Sequence, residues 1–203
     1  MVHHPLLLEK PRLCLRLEPG AALGRHAAAI ADLAERCRQP NPFFLPEFLG
    51  PAIEALGRGA VELALVTDRT GRLIFFAPLS SDRLEARLFA AARVWSHPYA
   101  PLGTPLIDPA RAEEAASAVL DGLAQAGRRL LVLPDVPVDA PEAAALRHAV
   151  QARGFASLAA AIDKRPVLRA DRPGGAQAFR AMVSRKKRKE LARQLRRLSD
   201  IAP

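Results

Sequence analysis

Val61-Glu-Leu-Ala-Leu-Val-Thr67, Asp68-Arg-Thr-Gly71 and Arg72-Leu-Ile-Phe-Phe-Ala-Pro-Leu79 decide the fold of this chain. Two apolar runs flank a four-residue polar segment that ends in glycine. That spacing predicts a β-hairpin with Gly71 in the left-handed position. Arg83–Val94 then alternates, with Leu84, Ala86, Leu88, Ala90, Ala92 and Val94 on one face and Arg83, Glu85, Arg87 and Arg93 on the other. A period of two predicts a third strand, so residues 61–94 read as an antiparallel three-strand meander.

Upstream, Arg12–Glu18 alternates in the same way and is broken by Pro19-Gly20. Ile30, Leu33, Ala34 and Cys37 then recur at helical spacing between Ala22 and Arg38. A stiff apolar turn, Asn41-Pro-Phe-Phe-Leu-Pro46, leads into a short helix over Glu47–Leu56.

Downstream, Trp95–Pro109 carries four prolines and reads as a loop. Ala112, Ala115, Ala116, Val119, Leu120 and Leu123 mark a helix that ends by Gly127. Leu130-Leu-Val-Leu133 is a short continuous apolar run, the pattern of a parallel strand buried on both faces. Pro141–Arg153 is a helix that begins with proline and is closed by Gly154. Phe155–Arg169 is expected to supply one or two further strands. The remainder is helical with a break. Phe179, Met182 and Val183 share one apolar face, and Leu191, Leu195 and Leu198 share another, rotated by about 120°. Ser184 between them is a good N-cap, which predicts two helices. The fold class is α/β, an α+β mixed sheet: an antiparallel meander, then α/β units, then a C-terminal basic helix.

Charge is concentrated in that last helix. The chain has 203 residues and a formal charge of +9. Residues 180–197 hold nine basic residues and one acid, a local excess of +8, while residues 1–179 hold 21 basic and 19 acidic residues. A chain basic over its whole surface would suit general nucleic-acid binding; a neutral body with one basic helix points to a local anion site. Arg outnumbers Lys 25 to 5, and the blander reading is a solvated face with an arginine-rich coding bias. Half of the residues are hydrophobic, so the chain folds rather than staying disordered. The longest apolar runs fall far short of the ~18 residues that span a bilayer. Met1-Val-His-His-Pro5 lacks the features of a secretory leader, so the cytoplasm is the expected compartment. Cys14 and Cys37 have no metal or redox spacing and are expected to be reduced. His3-His4 has no third ligand nearby, so no metal site is expected.

The element order is similar to that of the GNAT acetyltransferases, and three segments narrow the likeness. Asn41-Pro-Phe-Phe-Leu-Pro-Glu-Phe48 resembles the entry motif of the CelD/FemAB-like acyltransferases. Ser96-His-Pro-Tyr-Ala-Pro-Leu-Gly103 resembles the segment that follows their meander. The run from Phe179 to Ser199 resembles their basic helix. The resemblance implies acyl transfer from acyl-CoA (acetyl-CoA) or an aminoacyl donor to an amine or hydroxyl of a small-molecule or envelope/polysaccharide precursor. It also implies two lobes. Residues 1–172 correspond to a GNAT-like N-terminal lobe and 173–203 to a helical connector toward a second lobe, so the chain reads as incomplete for catalysis. The alternative is a non-catalytic module that binds RNA or another polyanion with the basic helix.

Two groups of candidate site residues follow. Trp95, His97, Tyr99 and Gly103 lie on the loop after the meander, where strand directions diverge in an open sheet. They read either as a substrate-binding wall or as a packed aromatic plug. Ser184, Arg185, Lys186, Lys187 and Arg188 open the basic helix. Cations are unfavourable at a helix N-terminus unless an anion sits there, which suggests an anion site. Lys187 projects between Val183 and Leu191 and is expected to point inward. A GNAT donor loop cradles the CoA pyrophosphate with glycine-rich backbone N–H groups. The corresponding segment here has one glycine and several prolines, so no CoA-binding loop is expected in this chain. No residue stands out as a catalytic acid or base.

Overall fold

The computed structural model describes residues 13–57, 61–80, 90–165 and 175–201. They fall into two compact units, 1–158 and 159–203. The first is a mixed sheet with helices on both faces. In chain order it comprises β1 (Leu15–Pro19), α1 (Leu23–Arg36), α2 (Pro46–Leu56), β2 (Val61–Thr67), β3 (Leu73–Ser80), β4 (Ala91–Val94), β5 (Leu106–Ile107), α3 (Ala112–Gln125), β6 (Leu130–Val132) and α4 (Pro141–Ala152). The sheet runs β1-β2-β3-β4-β6, with β5 also paired to β3. All pairs are antiparallel except β4 with β6, which is parallel. The α/β mixed-sheet class expected from the sequence is the one observed.

The β2–β3 hairpin forms as its sequence requires. Asp68 Oδ1 accepts hydrogen bonds from Thr70 N at 2.8 Å, Thr70 Oγ1 at 2.7 Å and Arg72 N at 3.0 Å. Gly71 sits at φ +85°, a region that costs an L side chain energy and glycine little. β3 is buried along its whole length, because both faces are covered. Phe76 meets Phe44 edge-on at 6.5 Å on the α1–α2 side. Phe75 and Leu79 face Val119, Leu123 and Leu146 of α3 and α4 on the other. Arg36 ties α1 to this sheet. It pairs with the buried Asp108, donates to Leu73 O at 2.8 Å, and meets Asp32 at 3.0 Å.

Three expectations need correction. The segment expected to be one loop over 95–109 contains β5, which pairs Phe75 with Ile107 and Phe76 with Leu106. Residues 155–165 form no strand and are all exposed. That stretch is rich in alanine, which has low strand propensity, and its apolar residues do not keep a period of two. β6, expected to be buried on both faces, pairs with β4 but leaves Leu130 exposed and Leu131 and Val132 half-buried, because it lies at the end of the sheet. The third meander strand is seen over Ala91–Val94; Leu84, Ala86 and Leu88 lie outside the described residues, as do 166–169.

The second unit carries α5 (Gly175–Met182) and α6 (Arg185–Ile201), broken at Ser184 as the sequence predicts. Ser184 caps α6, with its Oγ accepting from Lys187 N at 3.3 Å. Among the described residues, no helix is long and apolar enough to cross a membrane.

Candidate functional site

The far edge of β3 is shared by two strands with an excursion between them. β4 pairs Val94 with Leu79, and Trp95 N donates to Pro78 O at 2.9 Å. Pro78 has no N–H to return that bond, so the ladder stops there. The chain leaves the sheet over residues 96–105 and rejoins as β5, with Asp108 N donating to Ile74 O at 2.9 Å. A proline inside a central strand thus creates the loop that carries the candidate residues.

Two sequence segments hold this loop. Asn41 is fully buried; its Nδ2 donates to Leu102 O at 3.0 Å and Thr104 O at 2.9 Å, and its Oδ1 accepts from Phe43 N at 3.1 Å. Gly103 approaches the β6–α4 connection so closely that a Cβ would lie 2.0 Å from Pro134 O. Its N–H donates to Asp135 O at 3.2 Å. The loop thus follows the C-terminal end of β4, where Gly103 packs against the β6–α4 connection.

On this frame the rings form a chain. Phe43 meets Phe48 edge-on at 5.2 Å, Phe48 stacks on His97 at 6.0 Å and 9°, and His97 contacts Trp95 at 4.8 Å and Tyr99 at 6.2 Å. Trp95 and His97 are partly buried, while Tyr99 is 71% exposed and forms the outer tip. His97 Nδ1 and Thr104 Oγ1 are buried without a hydrogen-bond partner. Burial pushes the His97 imidazole below its ordinary value of 6.5, so it is neutral at physiological pH. The face thus offers flat rings and one neutral imidazole, suited to holding a sugar or an amine-bearing ligand. Reading the sequence alone missed Asn41 and Phe48 as parts of this face. The Asn-Pro pair was the available signal, since it favours a turn initiated by the Asn side chain.

The loop offers few donors to a CoA pyrophosphate. Pro98, Pro101 and Pro105 have no N–H, and the N–H groups of Ala100 and Gly103 are engaged by His97 O and Asp135 O. The next helix, α3, opens with Glu113 and Glu114, which repel an anion at its N-terminus. The apolar void between Val94, Pro105, Leu131 and Leu133 measures about 10 Å³ and admits no more than a water. Cys37 offers no nucleophile, because burial pushes its thiol up to about 11. No cluster of metal-ligating side chains exists among the described residues.

The five residues at the start of α6 lie in the second unit and are all exposed. Lys187, expected to point inward, points to solvent: Val183 and Leu191 beside it are themselves only partly covered or exposed, so there is no interior to enter. Arg188 is engaged across the helix break, donating to Arg180 O at 2.7 Å. A cation at the C-terminal end of α5 is favourable there.

No protein-family model matches the sequence, and no curated protein does. Among solved structures the chain is similar to a ribosomal-protein-alanine N-acetyltransferase from Brucella melitensis biovar Abortus 2308, at 20% identity and TM-score 0.43, over 78% of this chain and 99% of that one. It is similar to an acetyltransferase of Trypanosoma brucei at 14% identity and TM-score 0.43, over 76% of this chain and 99% of that one. It is also similar to AAC(6')-Iy, solved with the bisubstrate analog CoA-S-monomethyl-acetylneamine, at 16% identity and TM-score 0.39, over 76% and 99%.

Proposed function

We propose that this chain is the acceptor-side lobe of a two-lobed acyltransferase of the GNAT superfamily, of CelD/FemAB-like type. The observation that carries this reading is the loop 96–105. It presents Trp95, His97 and Tyr99 with Phe48 after β4, yet its prolines and engaged N–H groups leave few donors for a CoA pyrophosphate. The site favours a ligand that stacks on rings, such as a sugar bearing an amine or hydroxyl, over a donor held by phosphates. Acyl-CoA or an aminoacyl ester would then be held by a second GNAT-like lobe. The part left to this chain is positioning, which holds the acceptor where the donor carbonyl arrives. Neutral His97 on the same face can hydrogen-bond an acceptor amine or hydroxyl and orient it.

Trp95 is the only tryptophan, so its fluorescence reports on the site. Amino sugars and their glycosides are expected to change the emission saturably, and Tyr99→Ala is expected to weaken that response at least tenfold. Acetyl-CoA is expected to produce no heat in a calorimetric titration of the same chain. Stoichiometric acetyl-CoA binding would overturn the two-lobe division, and no response to any amine or hydroxyl acceptor would overturn the acceptor site.

A further inference from the structure

Six buried side-chain atoms among the described residues lack a hydrogen-bond partner. Two of them, Glu62 Oε2 and Arg128 Nη1, belong to residues that form an ion pair with each other. The other four are Gln39 Oε1, His97 Nδ1, Thr104 Oγ1 and Glu142 Oε2. They gather around loop 96–105 rather than scattering through the core. His97 and Thr104 are on the loop. Gln39 lies two residues before Asn41, whose side chain donates to Leu102 O and Thr104 O. Glu142 opens α4, after the connection whose Asp135 O accepts from Gly103 N at 3.2 Å. Leu146, four residues further along the same face of α4, lines one void with Pro105. The Cys37 thiol, raised chiefly by burial, is raised further by the charge of Glu142, which brings that carboxylate within electrostatic reach of the segment before Asn41. Thr104 is fully buried and Glu142 is 4% exposed.

An ionised carboxylate held out of water without a cation is strongly unfavourable. The arginines of the neighbouring helices are engaged elsewhere, Arg36 with Asp108, Asp32 and Leu73 O, and Arg147 with Val138 O. We propose that Gln39, Thr104 and Glu142 bind a monovalent cation at the base of loop 96–105, either a free ion or the ammonium group of an acceptor. Only the second source rests on the function proposed above. Glu142 supplies the charge, and the Gln39 carbonyl and Thr104 hydroxyl supply neutral oxygens. A single carboxylate matches a single positive charge, whereas calcium sites gather several carboxylates. The same carboxylate repels an anion. A buried water would satisfy the lone pairs but leave the charge of Glu142 uncompensated.

The test is thermal unfolding of the full chain at constant ionic strength, in ammonium, potassium or sodium chloride against choline chloride, whose bulky cation has no N–H to donate. A saturable rise in Tm of about 3 °C is expected with a small cation at about 0.1 M. A rise with the salts assigns a free ion. A rise in choline chloride with glucosamine, and not with glucose, assigns the ammonium group of an acceptor. Glu142→Gln keeps the shape and removes the charge; it is expected to abolish the rise while unfolding no earlier than the parent in choline chloride. Gln39→Ala, at a half-buried position, provides a second variant and is expected to raise the half-saturating concentration about threefold or more. Equal Tm in all four salts with no effect of glucosamine overturns the proposal, as does a Glu142→Gln chain that responds like the parent. A Trp95 fluorescence response to neutral sugars without any cation effect overturns it too, and leaves the acceptor site standing.

Discussion

β3 and α6 treat their apolar side chains in opposite ways. Every residue of β3 is buried, and none of α6 is. β3 gains from covering Ile74 and Phe76 on one face and Phe75 and Leu79 on the other, so it anchors the first unit. α6 keeps its leucines in water and surrounds them with cations. Burial in β3 holds the first unit together, whereas α6 buries none of its leucines. A periodic apolar stripe identifies an element, but only packing tells whether the element has already used it.

Paired truncations put the largest expected effect on this contrast. Phe76→Ala removes a ring that is fully buried against Phe44 and should cost about 3–5 kcal/mol in urea unfolding. Leu195→Ala should stay within about 0.5 kcal/mol in the same measurement. A comparable loss at Leu195 would mean that its stripe is covered, and the contrast would collapse.

Asn41→Ala tests how the buried frame supports the ring face. It strips the donors from Leu102 O and Thr104 O and should cost about 2–3 kcal/mol. Acrylamide quenching of Trp95 should rise as the loop loosens. A stable variant with unchanged quenching would show that Gly103 and its neighbours hold the loop without Asn41.

A smaller effect separates the partly buried imidazole from the exposed cations. Burial lowers the folded pKa of His97 below 6.5, so the unfolded chain takes up the proton first on acidification. Its contribution to stability is therefore complete above pH 6.5 and declines below it. The Tm of the parent should fall more between pH 7.5 and 5.5 than that of His97→Phe. Equal falls would place His97 in ordinary solvent. The smallest expected effect is at the start of α6. Arg185→Gln/Lys186→Gln removes like charge from a positive helix end and should slightly raise helicity at low salt, seen by circular dichroism. A fall would mean that those side chains are structural.

Much of this architecture was legible in the sequence. The hairpin signal at Asp68–Gly71, the parallel direction of the strand after residue 130 and the helix break at Ser184 each rest on local chemistry that tertiary packing did not override, whereas the burial expected of that strand did not follow. β5 was hidden because two apolar residues, Leu106 and Ile107, are too short for a period and lie among prolines. The strands expected over 155–165 failed because apolar content alone does not supply a neighbour to pair with. Trp95, His97 and Tyr99 could be singled out as a ring-bearing loop, but their junction with Phe48 depends on Asn41 reaching across 61 residues. Sequence spacing carries no record of such a contact. Lys187 was misplaced because a helical projection gives direction and not what lies in that direction.

Pro78 has one more consequence, which concerns how this sheet tolerates change. Leu79 faces Val94 and Phe76 faces Leu106, whereas an unbroken strand would put residue 97 opposite Phe76. The sheet thus skips nine residues and resumes with the correct side chain turned inward. Pairing on either side of the gap does not depend on what the gap contains. The segment behaves as a cassette. Its length and chemistry can drift, or be exchanged by an engineer, provided that the Asn41 acceptors and the glycine opposite Pro134 are kept. A sheet built this way can exchange that segment without relearning how to fold.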